Sequence, residues 1–198
     1  MNDFVALLAR VLTGLQARWL GVKPEPRQRI YFANHTSTLD ALVIWAALPS
    51  FIRQKTRPVA ARDYWESGLR QWLAHNVFRA LLIERRKVTA ENNPLTGMLA
   101  ALDDGDSLII FPEGGRFPGP EPQPFKGGLF HLAKARPHVE LVPVYLENLN
   151  RILPRGEVLA VPLMGSMTIG AAIQLEPGES KANFLQRARE AVWMLRLT

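Results

Sequence analysis

A histidine and a carboxylate stand five positions apart in Asn34-His35-Thr36-Ser37-Thr38-Leu39-Asp40. A carboxylate on the Nδ1 side of an imidazole fixes its tautomer, raises its basicity and leaves Nε2 to accept a proton. His35 and Asp40 could therefore act as a general base and its orienter. A second description fits the same residues. Ser37-x-x-Asp40 has the pattern of a capping box, with Ser37 as the cap, and His35 is then an ordinary satisfied polar side chain. At this point both descriptions stand. Ser37 lacks the Gly-x-Ser-x-Gly setting of a hydrolase nucleophile, so capping is its favoured role. His35, His75, His131 and His138 are too scattered to form a metal-binding cluster.

A second group of residues suits an anion. Glu113-Gly114-Gly115-Arg116 follows the apolar run 107–111. Glycines let backbone amides approach an anion closely, and an arginine offers a forked donor to phosphate. Lys126-Gly127-Gly128 opens a predicted helix, where a lysine and the helix N-terminus reinforce each other. The alternative is a pair of glycine turns with solvated charges. Arg85-Arg86-Lys87 follows another apolar run and could send one cation into the same cleft.

These groups need elements to place them. Apolar and β-branched content predicts strands at 29–33, 57–61, 80–84, 107–111 and 140–146, with one or two more between 151 and 177. Apolar periodicity predicts helices at 3–20, 39–48, 64–76, 95–102, 127–136 and, capped by Ser180, about 181–197. Alternating strands and helices imply an α/β domain with a mostly parallel or mixed sheet flanked by helices. Residues 1–28 form an amphipathic helix and linker before an α/β domain at 29–198. His35 and Glu113–Arg116 each follow a strand, where open α/β sheets bind ligands.

Composition narrows the classes. The 198 residues are 47% hydrophobic and 21% charged, which excludes a disordered chain. Cysteine is absent, which excludes disulfide scaffolds, thiolate zinc sites and a thiol nucleophile. Net charge is +6 and uneven: residues 1–100 carry 14 Lys and Arg against 7 Asp and Glu, and residues 101–198 carry 10 against 11. That asymmetry suggests an anionic partner. Nucleic acid is disfavoured, because the basic residues are not interleaved with stacking aromatics and no binding module is present. The longest uninterrupted candidate for a span, 41–52, has 12 residues and contains Pro49, so no span is expected. Asp3 and Arg10 argue against a signal peptide. The periodic segment 3–20 has two readings. It packs on the core, or it lies in a membrane surface with Arg10 and Arg18 toward lipid phosphates and Trp19 at the headgroups.

Taken together, the motifs resemble those of the glycerolipid acyltransferases, most of all the 1-acylglycerol-3-phosphate (lysophosphatidate) acyltransferases. The resemblance covers roughly residues 30–146. Asn34-His35-x4-Asp40 matches the family's first block. Leu81-Leu82-Ile83-Glu84-Arg85 is similar to the second, Phe111-Pro112-Glu113-Gly114-Gly115-Arg116 to the third, and Val142-Pro143-Val144 to the fourth. Phe125-Lys126-Gly127-Gly128 matches the segment after the third block. Two positions depart: Gly115 stands where the family has Thr or Ser, and Arg79 where it often has Gly. Both departures fall in blocks the family uses for its acceptor.

The resemblance implies fatty acyl transfer from acyl-CoA or an acyl carrier protein to a lysophospholipid hydroxyl, with no further cofactor. It implies His35 as base and Asp40 as its orienter. Arg116, Arg85 and Lys126, with Gly114 and Gly115 beside them, would hold the acceptor phosphate, and Glu113 would bond the acceptor glycerol. It also implies an enzyme lying on the cytoplasmic face of a membrane, which favours the interfacial reading of 3–20. The rivals are another lysolipid acceptor, a thioesterase, and a non-catalytic lipid-binding module.

Overall fold

The computed structural model describes residues 2–65, 68–84, 89, 92–117, 119–149 and 165–198. It is an α/β domain around one mixed sheet. Among the described residues its seven strands are β1 (Gln16–Trp19), β2 (Arg29–Ala33), β3 (Thr56–Ala61), β4 (Leu81–Ile83), β5 (Ser107–Ile110), β6 (Glu140–Glu147) and β7 (Ser166–Ile169), in the order β1-β7-β6-β2-β5-β3-β4. Strands β6, β2, β5, β3 and β4 run parallel to one another. Strand β7 is antiparallel to β6, and β1 joins β7 in parallel.

The central strands carry near-continuous apolar runs because helices cover both faces of the sheet. Every residue of β2 is buried. Tyr31, Ala33, Ile109, Val142 and Val144 face one core, shared with α2 (Asp40–Ala47) and, after the short helices α3 (Ser50–Arg53) and α4 (Arg62–Trp65), with α5 (Gly68–Asn76). Ile30, Phe32, Leu108, Ile110 and Leu141 face the other, shared with α6 (Pro94–Asp103), α7 (Gly128–Ala135) and the C-terminal helix Lys181–Met194. Ser180 caps that last helix, accepting the Asn183 amide at 3.2 Å.

The N-terminal segment differs from the periodic expectation. Its helix, α1 (Asn2–Thr13), stops at Gly14, which takes φ +54°, and residues 16–19 pair with β7 instead. Sheet pairing with a distant strand overrides the local helical pattern there. Ala6, Ala9 and Thr13 form the buried side of α1, against α2. Phe4, Leu7, Leu8, Val11 and Leu12 point outward, Phe4 and Val11 with 69% and 70% of their surface exposed. The two arginines are exposed and also bonded to the protein. Arg10 donates to the carbonyls of Ala46 (2.6 Å) and Leu48 (3.3 Å) at the end of α2, and Arg18 donates to the Thr198 carbonyl (2.8 Å). Half-buried Trp19 lies on β1 and packs on the core. Arg53 also holds the Leu48 carbonyl, and it pairs with Asp3 of α1.

Of the segment 151–177, residues 166–169 form β7, while 151–164 lie outside the described residues. No helix among the described residues is long and apolar enough to cross a membrane.

Buried Asn34 links β2 to β6. Its Nδ2 donates to the Leu146 carbonyl at 2.9 Å, and its Oδ1 accepts the Leu146 amide at 2.8 Å. Asn34→Ala would leave both backbone groups buried and unpaired, each costing ~1–3 kcal/mol. Urea unfolding of that variant is expected to show a loss of about 2–4 kcal/mol, and a loss below about 1 kcal/mol would contradict this role.

Candidate active site

Strands β2 and β5 are parallel neighbours, so the polar segments after Ala33 and Ile110 emerge side by side. At the end of β2 the chain turns into α2, with Asp40 fully buried in the first turn. One oxygen of Asp40, Oδ2, accepts three donors: the Thr36 amide (2.7 Å), the Ser37 amide (2.8 Å) and His35 Nδ1 (2.8 Å). The helix N-terminus adds a favourable dipole for the carboxylate. The two sequence descriptions thus merge. Asp40 reaches back to the Ser37 amide as a capping box would, and the same oxygen orients the imidazole. Ser37 itself is buried, and its hydroxyl accepts the Leu39 amide at 3.3 Å.

The His35 ring stacks on Phe111, with centroids 4.1 Å apart and planes 18° apart. Carboxylate and ring together leave the imidazole one orientation. With Nδ1 bonded to Asp40, Nε2 is the nitrogen left for a ligand, and His35 lines the main cavity.

Glu113 is placed differently from the expectation that it bonds an acceptor. It is buried and does not line that cavity. Its Oε1 accepts the His35 amide at 2.7 Å and its Oε2 accepts the Gln123 amide at 3.0 Å. Burial raises its pKa above the ordinary carboxylate value, and the two amides offset only part of that rise. The Phe117 amide donates to the His35 carbonyl at 2.9 Å. Both backbone groups of His35 are therefore held by the segment after β5, so Glu113 positions the histidine.

Gly114, Gly115, Arg116 and Lys126 come together with His35 around a cavity of about 350 Å³. Gly114 adopts φ +70°, and a Cβ there would lie 2.5 Å from Lys126 Nζ. Only glycine suits both the backbone and the close ammonium. Lys126 is fixed at its own amide, which donates to the Pro112 carbonyl at 2.8 Å. Beside these groups and Glu84, the cavity is lined by Val59, Ala61, Ile83, Met98, Leu129 and Leu132, contributed by β3, β4, α6 and α7. Sequence reasoning missed this apolar region, because each of those residues reads individually as core.

Arg85 lies outside the described residues, as do Arg86 and Lys87. Arg79 is directed elsewhere. Its guanidinium bonds the Gln54 carbonyl (2.8 Å) and Asp106 (3.1 Å), at the end of the sheet where β5 begins. It takes φ +50°, a backbone conformation glycine adopts without strain. Its departure from the family pattern therefore concerns a turn.

A family model described as Acyltransferase matches residues 21–147. Mouse 1-acyl-sn-glycerol-3-phosphate acyltransferase alpha is 29% identical over 148 residues, covering 72% of this chain and 49% of that protein. The human protein of the same name is 30% identical over 129 residues, covering 63% and 42%. The 1-acyl-sn-glycerol-3-phosphate acyltransferase of Haemophilus influenzae is 28% identical over 164 residues, covering 70% and 65%. The chain spans about half the length of the curated relatives it matches. Its fold is that of the crystal structure of the 1-acyl-sn-glycerophosphate acyltransferase PlsC from Thermotoga maritima, with a TM-score of 0.76, 19% identity, and coverage of 98% of this chain and 77% of that one. The family model takes in both strand-end motifs and more than half of the sequence, and the chain belongs to the acyltransferase family.

Proposed function

We propose that this chain transfers a fatty acyl group from acyl-CoA or an acyl carrier protein to the hydroxyl of a lysophospholipid, with 1-acylglycerol-3-phosphate as acceptor and phosphatidate as product. The observation that carries the reading is the His35–Asp40 pair, joined at 2.8 Å, opening onto a cavity lined both by Arg116 and Lys126 and by apolar residues of β3, β4, α6 and α7. A lysophospholipid and a fatty acyl thioester between them present those two chemistries.

A thioester is already activated, so no covalent acyl-enzyme is needed. The chain has no cysteine, and Ser37 is buried away from the cavity. In this reading His35 Nε2 takes the acceptor's hydroxyl proton as that oxygen attacks the thioester carbonyl. The tetrahedral intermediate collapses, the carbon–sulfur bond breaks, and the proton leaves with the thiolate. Asp40 holds the imidazole and balances the positive charge it gains. Base catalysis of this kind contributes about 10²–10⁴-fold. Arg116 and Lys126 hold the acceptor phosphate. The residues of β3, α6 and α7 that line the apolar side take the donor's acyl chain.

The acceptor and the product are bilayer lipids. Leu7, Leu8, Val11 and Leu12, exposed together on α1, suit insertion into the headgroup boundary of a membrane, and the basic first half of the chain suits an anionic surface. The reading therefore places the protein peripherally on the cytoplasmic face of a membrane.

Release of carrier thiol, followed with a thiol-reactive dye, tests the reaction without background from this Cys-free chain. Release is expected only when lysophosphatidate is present. Full-rate release without any lysolipid would make the protein a thioesterase, and no release with any donor would make it a binding module. A panel of lysolipids fixes the acceptor. Arg116→Ala is expected to raise the acceptor KM about tenfold or more while leaving the donor KM in place. Membrane contact is tested with Leu8→Glu/Val11→Glu, which spares the buried alanines of α1. Flotation with anionic liposomes should fall at least about tenfold, and unchanged flotation would remove α1 from the interface.

A further inference from the structure

Among the described residues that line the main cavity, one carries a hydroxyl: Thr38, on the same turn as His35. The other polar side chains of that turn are committed elsewhere. Asn34 bonds Leu146, Ser37 is buried and accepts the Leu39 amide, and Asp40 holds the imidazole, while Thr36 is not part of the cavity wall. Thr38 is half-buried, and its hydroxyl bonds none of the described residues. The main chain on either side of it is fixed. The Ser37 amide donates to Asp40 Oδ2 at 2.8 Å, the Leu39 amide to the Ser37 hydroxyl at 3.3 Å, and the Asp40 amide to the Ser37 carbonyl at 3.4 Å. A hydroxyl held beside the base, with no protein partner there, is a donor available to whatever occupies the cavity.

On the acyl-transfer reading above, two charges develop at this wall. The acceptor oxygen bonds to the thioester carbon, its proton passes to His35 Nε2, and the carbonyl π pair moves onto the carbonyl oxygen. Asp40 balances the positive charge on the imidazole. The negative charge on the carbonyl oxygen requires a donor of its own. Arg116 and Lys126 are engaged by the acceptor phosphate in this reading, and Glu84 presents acceptor oxygens. The indole of Trp65 belongs to α4 and packs edge-on against Phe78, with centroids 6.0 Å apart. We propose that Thr38 is a catalytic residue whose Oγ1 donates a hydrogen bond to the thioester carbonyl oxygen as it becomes an oxyanion. The hydroxyl proton stays on Oγ1. When the electron pair re-forms the carbonyl, the carbon–sulfur bond breaks and the thiolate takes the proton from His35. The full charge exists only between these two steps, so the bond is strongest near the transition state and acts on kcat. One such donor contributes about 10²–10³-fold.

The experiment measures steady-state and single-turnover transfer by wild type, Thr38→Val, Thr38→Ala and Thr38→Ser, with thermal melting of each. Thr38→Val keeps the shape of the side chain and removes the donor. Its kcat is expected to fall about 10²-fold, with donor and acceptor KM within a few-fold of wild type. Thr38→Ala should behave alike. Thr38→Ser, which restores the hydroxyl, should keep kcat within a few-fold of wild type, and all four proteins should melt alike. A folded Thr38→Val with kcat within a few-fold of wild type would overturn the inference. A loss confined to the acceptor KM would make Thr38 a binding contact and overturn it too, as would a Thr38→Ser as slow as the valine variant, which marks a packing role. If the valine variant does not fold, the comparison of Thr38→Ala with Thr38→Ser decides by the same criteria. Absence of transfer by wild type, from either donor to any lysolipid, would instead overturn the functional reading, and this inference with it.

Discussion

A single buried carboxylate oxygen organises this protein. Oδ2 of Asp40 accepts two consecutive backbone amides and an imidazole N–H, all at 2.7–2.8 Å. A charge excluded from water is costly unless it is bonded in this way, and bonds to an ionised group contribute about 1.5–3 kcal/mol each. The turn between β2 and α2 therefore has one low-energy shape, and His35 has one orientation within it. The far end of α2 is held just as firmly, by Arg10 and Arg53 on the carbonyls of Ala46 and Leu48. The helix that carries the orienting carboxylate is thus fixed at both ends, at one of them by α1, whose outer side is apolar.

The rest of the site is built by adjacency. Parallel pairing of β2 with β5 brings together two motifs that are 78 residues apart in sequence. Once adjacent they interlock: Glu113 takes the His35 amide, Phe117 gives its amide to the His35 carbonyl, and Phe111 stacks beneath the ring. The position of the imidazole is consequently set from three sides by main-chain and buried groups. The groups facing the cavity, Arg116 and Lys126, remain on its surface. Rigid support behind the imidazole and solvent-facing cations in front suit a site that must hold one side chain still beside an open cavity.

Much of this was legible in the sequence. The apolar runs 29–33, 107–111 and 140–146 reported parallel strands because burial on both faces removes alternation, and the residues that follow them carried the chemistry. The segment 3–20 was less legible. Its periodicity is real, but the larger apolar residues of α1 face outward while small alanines pack inward, and residues 16–19 are claimed by β7. Hydrophobic periodicity identifies a stripe without saying what covers it. Glu113 and Arg79 show the same limit for charged residues. Local sequence marked Glu113 as a site candidate and Arg79 as a departure from the family pattern, whereas long-range partners, the His35 amide for one and Asp106 for the other, decide what they do. The apolar side of the cavity was illegible because it is assembled from four elements, none of which departs from an ordinary core pattern.

The account rests on the imidazole of His35 acting as the base. Single-turnover acyl transfer to lysophosphatidate by folded His35→Ala, with donor and acceptor saturating, tests that most directly. The expected result is a rate at least about 10²-fold below wild type with melting behaviour retained. A rate within a few-fold of wild type would contradict the account, whatever the fold and the family.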